Sequence, residues 1–209
     1  MMNTLDQAYR QAKETAEWAM GYVQGLEISA TTKNRLAGAA YGLALEHQRG
    51  MTVLIEAKAY GSTLALLRSA VEGFALGYWL LYQTDEAQLT AFVEGKSKPS
   101  LDFLLRCIAD EHSSGPRKGQ LQQLVKRLNA FTHGGIEHLV MRQGHGVVGP
   151  RYDVEDMANA LGIGAWIAKM AAVDIVGGVA SNAELADEML RGVEEVLPFH
   201  PSPDLSPTA

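Results

Sequence analysis

Cysteine and proline are scarce in this sequence. Cys107 is the only cysteine among 209 residues, so no disulfide can form within the chain. Four of the seven prolines lie between Pro198 and Ala209. With 47% hydrophobic and 20% charged residues, the chain can bury a sizeable core. We therefore expect one domain over residues 1–197, followed by a disordered proline-rich tail at 198–209.

The N-terminus lacks the features of a secretion signal. The first six residues, MMNTLD, provide neither a basic n-region nor an apolar h-region. Together with the single cysteine, this favours a protein that works in the reducing cytoplasm.

No apolar stretch of bilayer length is free of charge. The charged residues within the two most apolar stretches, 64–82 and 157–180, are Arg68, Glu72, Lys169 and Asp174. Each charge near a bilayer centre costs roughly 2.5–3.5 kcal/mol. We therefore expect two central helices of a soluble bundle and no membrane partner. Arg68 and Glu72 are four residues apart, so they share a helix face and are expected to form a structural ion pair.

Helical periodicity runs through most of the chain, since apolar residues recur at three- and four-residue spacing. No run alternates with period two for long enough to predict a sheet, and Val147-Val148 is too short. We predict an all-α, single-domain helical bundle without significant sheet, whose core spans about residues 30–180. The predicted helices cover about residues 4–27, 31–57, 62–81, 85–92, 100–108, 118–133, 154–180 and 182–197, with one or two turns at 136–141.

Basic residues are not in overall excess, because the net charge is -6. This excludes a protein whose whole surface follows nucleic acid or anionic lipid. The segment from His112 to Tyr152 differs, with six basic residues and one acidic residue, whereas the remainder holds 12 basic and 23 acidic residues. The segment predicts a local anion site, with a solvated basic face as the alternative. Its basic residues are Arg117, Lys118, Lys126, Arg127, Arg142 and Arg151.

One short motif lies inside this basic segment. In the sequence RLNAFTHGG, five residues separate Arg127 from His133. The motif resembles the Arg-x(4–6)-His signature of the HEPN superfamily, whose members are small all-α domains found in bacterial toxins, abortive-infection proteins and metal-independent ribonucleases. The apolar helix that starts RSAVE at Arg68 and ends YWLL, followed at a distance by FTHGG, resembles a bacterial branch related to that group.

The resemblance implies cleavage of RNA without a metal or other cofactor. It assigns catalytic roles to Arg127, Asn129 and His133. A histidine that titrates near neutrality would move the proton of a ribose 2′-hydroxyl, and an arginine would hold the phosphate as charge develops. The basic side chains expected to bind further phosphate are Lys126, Arg142 and Arg151.

Helix geometry limits this assignment. His133 is six positions after Arg127, which in an α-helix places them about 9 Å apart along the axis and about 120° apart around it. One helix therefore does not easily bring both side chains to one phosphate, and a working site would need Arg127 from a second copy or from another helix. The spacing is also not unique, since Arg106 and His112 are equally far apart.

Small residues and an apolar surface predict self-association. Gly38 and Gly42, like Gly73 and Gly77, are four residues apart and allow helices to approach closely. Together with an apolar surface around Trp79 and with the resemblance, they predict a homodimer with two-fold symmetry.

Two other functions stay open. The protein could be a non-catalytic binding or regulatory module in which His133 caps a helix and Arg127 lies on the surface. It could also be a metal-binding bundle that draws three histidine ligands from distant helices, His47 among them, and His133 and His138 are a further candidate pair. Because His133 and His138 do not have the His-x-x-x-His spacing that places two imidazoles on one helix face, we predict no metal site.

Overall fold

The structure is a computed structural model that describes residues 4–112, 128–129, 139, 143–144, 147–148 and 152–196. The helices that lie wholly within these residues are, in chain order, α1 (Thr4–Val23), α2 (Thr32–Glu56), α3 (Tyr60–Tyr78), α4 (Glu86–Val93), α5 (Leu101–His112), α6 (Val154–Asp174) and α7 (Ala183–Val196). Two π-helical segments, π1 (Trp79–Gln83) and π2 (Ile175–Val179), continue α3 and α6 directly. The all-α prediction is confirmed.

Side-chain caps set several of the helix starts. The Thr31 hydroxyl accepts a hydrogen bond from the Asn34 amide at 3.1 Å, and the Asp153 carboxylate accepts one from the Glu155 amide at 2.7 Å. Asp85 forms a reciprocal capping box at the start of α4. These three caps lie at the starts of the helices predicted over about residues 31–57, 85–92 and 154–180.

Several boundaries differ from the predicted ones, such as the end of α5 at His112 rather than at 108. Helix α1 ends at Val23, four residues before the predicted end at 27. Helix α3 starts at Tyr60 because α2 ends in a tight turn, with Lys58 at a positive φ of 56°. In this turn the Ala59 amide donates to the Leu54 carbonyl and the Lys58 amide donates to the Ile55 carbonyl, which is the Schellman pattern.

Helix α2 lies at the centre of the bundle. It packs along α3 and α6, and α1 packs against α6 and α2. Helix α5 packs on α3 and π1, while α7 packs on π2 and α6. The shared core is rich in alanine, since Ala37, Ala44, Ala75, Ala168 and Ala171 are all buried.

Glycines bring α2 and α3 close together. A Cβ at Gly73 would lie 3.0 Å from the Ala40 carbonyl oxygen, and one at Gly77 would lie 2.7 Å from Tyr41 Cδ1. The small-residue pair on α3 therefore serves packing within one chain.

The predicted apolar surface around Trp79 is wrong. Trp79 is 3% exposed because Phe92 of α4 and Phe103 of α5 pack against its ring, with centroids 5.8 and 6.4 Å away. The sequence pattern could not show that α4 and α5 fold back over this ring.

A minimal β-ladder lies before α6. Strands β1 (Gln143–Gly144) and β2 (Val147–Val148) pair antiparallel, two residues each. Since the sequence predicts no significant sheet, the ladder is an addition to the expected fold, and it is too short to change the fold class.

Two helices pass a length and composition test for crossing a membrane. They are Tyr60–Gln83 and Val154–Val179. The most apolar 18-residue stretch is 61% buried inside the protein in the first helix and 67% buried in the second. The core helix of a soluble protein passes the same test, so these helices are weak evidence for a membrane span.

Candidate functional site

The predicted catalytic and phosphate-binding residues fall mostly outside the described residues. This applies to Lys126, Arg127, His133, Arg142 and Arg151. Asn129 is described, and it is helical and half-buried. Its neighbour Leu128 is 2% exposed and belongs to the core, so this position of the motif lies against the bundle.

The predicted pair of Arg68 and Glu72 lies on α3. Arg68 Nε and Glu72 Oε2 are 3.7 Å apart, which is an ion-pair contact but too long for a hydrogen bond. Arg68 Nη1 is buried and makes no hydrogen bond within the described part of the chain. The exposed pair on α5 is closer, with Arg106 Nη2 2.9 Å from Asp102 Oδ2. The ion pair between Arg68 and Glu72 is therefore weak, as isolated pairs of this kind commonly are.

A cluster that the sequence did not predict lies where α3 and α6 turn into π-helix. Asp174, the last residue of α6, accepts two phenolic hydrogen bonds. The Tyr41 hydroxyl donates to Asp174 Oδ2 at 2.7 Å, and the Tyr82 hydroxyl donates to Oδ1 at 3.0 Å. The rings of Tyr78 and Tyr82 lie side by side, with centroids 5.0 Å apart. We call Tyr41, Tyr78, Tyr82 and Asp174 the tyrosine–aspartate cluster.

Two glycines make room for this cluster. A Cβ at Gly77 would lie within 2.8 Å of three atoms of the Tyr41 ring. A Cβ at Gly178 would lie 2.9 Å from the Tyr82 hydroxyl oxygen and 2.5 Å from Leu81 Cδ2. Since real Cβ atoms do not approach other atoms this closely, a side chain at either position would force its neighbours in the cluster to shift.

The first turn of α2 holds the ends of both π-helical segments. Lys33 Nζ donates to the carbonyl of Thr84, just after π1, at 3.1 Å. Asn34 Nδ2 donates to the carbonyl of Val179, the last residue of π2, at 3.0 Å. The Thr84 hydroxyl also donates to the Trp79 carbonyl at 2.7 Å. π-Helical turns are rare in proteins, and those that occur are often found at functional sites. Two of them lie beside the Asp174 carboxylate, which makes this end of the bundle a candidate site.

Burial differs sharply within the cluster. Tyr41 lies fully inside the protein, Asp174 is half-buried, and Tyr82 is 47% exposed. Burial, followed by the charge of Asp174 and its hydrogen bond, raises the pKa of Tyr41 far above its ordinary value of 10.0. The Tyr41 phenol therefore stays protonated and acts as a permanent donor to Asp174.

The comparison with known families gives one match. A model of a family of unknown function, DUF6988, matches residues 41–198. The chain belongs to this family. No curated protein and no solved structure matches the chain significantly.

The DUF6988 region contains both candidate sites. It begins at Tyr41 and includes Tyr82, Asp174 and the motif from Arg127 to His133. Helix α1 and the capping residues at the start of α2 precede the matched region, although α1 packs against α6.

Metal ligands do not converge in the described residues of this DUF6988 protein. Within those residues, no group of three or more histidine, cysteine, aspartate or glutamate side chains has the geometry to hold a metal ion. His47 is half-buried on α2, and His133 and His138 lie outside the described residues.

Sequence reasoning missed the tyrosine–aspartate cluster for a clear reason. Asp174 was visible as a charge inside an apolar stretch, but its partners are 133 and 92 residues away in the chain. The available signal was Asp174, an acid close to Gly177-Gly178 at the end of one apolar helix, together with the tyrosines at the end of a second apolar helix. Periodicity does not identify such distant partners.

Proposed function

We propose that this protein is a HEPN-like helical domain that binds the phosphate groups of RNA or of a nucleotide through the segment between His112 and Tyr152. The observation that carries the proposal is the division of charge. Six of the seven charged residues in the segment between His112 and Tyr152 are basic, whereas acidic residues outnumber basic ones by 23 to 12 elsewhere. A polyanion would be attracted to this segment and repelled by the rest of the surface.

The packing of Leu128 and Asn129 supports a binding site on a rigid part of the protein. Leu128 is buried in the same core as α2, α3 and α6, and Asn129 follows it in helical conformation. Binding groups attached to a packed helix lose less conformational entropy on binding than groups on a loop. This supports placing the phosphate contacts beside Asn129.

The finer proposal is RNA cleavage without metal, with Arg127, Asn129 and His133 in catalytic roles. It is supported by the HEPN-like motif and by the chemistry of an imidazole near a phosphate-binding arginine. A non-catalytic binding or regulatory module is the second candidate. It is favoured by helix geometry, since Arg127 and His133 would lie about 120° apart around one helix.

Binding is tested with a fluorescently labelled single-stranded RNA at low salt, measured by anisotropy. We expect Arg127→Ala and Lys126→Ala to weaken binding. Arg106→Ala is the matched control, because Arg106 is an exposed arginine outside the segment and is paired with Asp102. Equal effects of Arg127→Ala and Arg106→Ala would contradict a local site.

Cleavage is tested on the same RNA with a metal chelator present. If the protein is a ribonuclease, His133→Ala should lower the rate roughly 10²-fold or more without unfolding the protein. A binding module shows no cleavage in any variant and keeps the Arg127→Ala binding defect. The absence of both binding and cleavage would contradict both candidates.

We also propose that the protein is cytoplasmic and forms a homodimer. The cytoplasmic proposal is supported by the single cysteine and by the large buried share of both long apolar helices. The dimer proposal is supported by an uncharged stripe on α6, where Trp166 is 43% exposed and Ile163 and Met170 are half-buried.

A further inference from the structure

We propose that the uncharged stripe on α6, formed by Ile163, Trp166 and Met170, binds helix α7 of a second copy of this chain. In this contact Lys169 of one copy lies beside Asp187 of the other. The inference rests on the proposed homodimer and names the two surfaces that form it. In a closed two-fold dimer the contact forms twice.

The first step of the argument is the charge at the edge of the stripe. Lys169 is the only basic residue of α6, and it follows Trp166 by about one helical turn, so the two side chains are neighbours on the helix surface. Lys169 is 7% exposed, and no carboxylate in the described part of the chain lies within ion-pair distance of it. Among the described residues, the fully enclosed side-chain atoms without a hydrogen bond are Gln48 Oε1 and Arg68 Nη1. The exposed part of Lys169 therefore includes its ammonium group, as is usual for a lysine whose stem is buried.

The second step is the apolar part of the stripe. Trp166 is 43% exposed although Phe74 packs against its ring, with centroids 5.9 Å apart. Because this contact restrains the indole, a partner gains a large apolar area at little cost in side-chain entropy. Tryptophan in such a position often dominates the binding energy of an interface. The complementary partner therefore has an apolar side chain for Trp166 and an acid for Lys169, about 4.5 Å apart along a helix.

Helix α7 carries such a pair. Leu190 is 40% exposed, and Asp187, also exposed, lies three residues before it. On α6 the charged residue lies three residues after the exposed apolar one, so the two patterns match when the helices run antiparallel. Antiparallel packing that places Leu190 on Trp166 also places Asp187 beside Lys169.

The balance of charge favours α7 over another helix with exposed apolar residues. Helix α7 has five acidic residues and one basic residue, Arg191, whose Nε donates to the backbone carbonyl of Asp187. Helix α2 also exposes Leu43 and Val53, but it carries three basic and two acidic residues. Complementary charges at an interface select the partner and fix the register, so Lys169 favours the acidic helix.

Charge exchange tests the pair in the full-length protein, with the dimer dissociation constant measured by analytical ultracentrifugation. We expect Asp187→Lys to weaken the dimer by about tenfold or more, because it places like charges together. Adding Lys169→Glu to the same chain should restore the constant to within about threefold of wild type. Glu188→Lys is the matched control, since Glu188 is an exposed acid of α7 about 160° around the helix from Leu190. This control should change the constant by less than about twofold.

Photo-crosslinking decides the contact if circular dichroism shows that the double variant does not fold. p-Benzoylphenylalanine is incorporated in place of Leu190, and mass spectrometry of mixed ¹⁴N- and ¹⁵N-labelled copies identifies the peptides joined between chains. We expect them to come from α6 around Trp166. A dimer whose cross-links lie outside α6, or that Asp187→Lys and Glu188→Lys weaken equally, overturns this inference and leaves the homodimer standing. A wild type that is monomeric at micromolar concentration overturns both.

Discussion

Lys169 is a charged side chain buried in the apolar face of α6. The residue is 7% exposed, and within the described part of the chain no carboxylate lies within ion-pair distance of its ammonium group. Burial lowers the pKa of Lys169 below its ordinary value of 10.5, because the charged form loses hydration. An ammonium in this position opposes folding as long as it stays protonated.

We predict that Lys169→Met stabilises the protein at neutral pH. The expected increase in Tm is about 2–4 °C, which corresponds to about 1 kcal/mol for a chain of this size. Between the lowered folded pKa and the unfolded pKa, the unfolded state binds more protons, so wild-type stability rises with pH in that window. Differential scanning calorimetry of both proteins over that range should show the difference shrinking as pH rises. Lys13→Met, at an exposed position on α1, is the control, and an equal gain there would contradict the burial argument.

Some glycines in this bundle are needed for two helices to pack closely, and others are not. Gly77 faces the Tyr41 ring at a distance that excludes a Cβ, whereas nothing lies within 4 Å of a Cβ at Gly42. Both residues lie inside long helices, α3 and α2, where glycine costs backbone entropy. Alanine at Gly42 therefore reports helix propensity, whereas alanine at Gly77 also reports packing against Tyr41.

We expect opposite results from alanine at these two glycines. Gly42→Ala should raise the free energy of unfolding by about 0.5–1 kcal/mol through helix propensity. Gly77→Ala should lower it by about 1–3 kcal/mol because the new methyl group collides with Tyr41. Denaturant unfolding measures both, and stabilisation by Gly77→Ala would show that Tyr41 is not held where the structure places it.

The elements differ in how far their sequence reveals them. Thr31, Asp85 and Asp153 cap helices as their positions predict, because an N-cap is a local interaction between a side chain and amides within three residues. The π-helical turns were not predictable, since five residues of altered winding barely change an apolar pattern. The burial of Trp79 and the partners of Asp174 depend on distant elements, which periodicity does not identify. The HEPN-like motif is outside the described residues apart from Leu128 and Asn129.

The exposed stripe on α6 is the whole-molecule feature that favours self-association. Trp166 contacts Phe74 with a centroid distance of 5.9 Å and still leaves 43% of its surface exposed. Ile163 and Met170, one helical turn on either side, are partly buried and uncharged. A predominantly acidic protein can bring two copies together most readily through an uncharged face.

We predict a dimer that Trp166→Glu converts to monomer. Analytical ultracentrifugation at micromolar concentration measures the change, because a buried charge at a two-fold interface is introduced twice. Val53→Glu is the control, since Val53 is a similarly exposed apolar residue on α2. A monomeric wild type, or a dimer unaffected by Trp166→Glu, would contradict this interface.

The central claim is that an acidic bundle binds polyanions through one basic segment. The most direct measurement is the affinity of wild-type protein for single-stranded RNA over a range of salt concentrations. Each neutralised phosphate contributes about -0.7 to the slope of log affinity against log salt, so contacts by three to six basic residues predict a slope of about -2 to -4. The absence of binding at about 50 mM salt, or an affinity that does not change with salt, would contradict the claim.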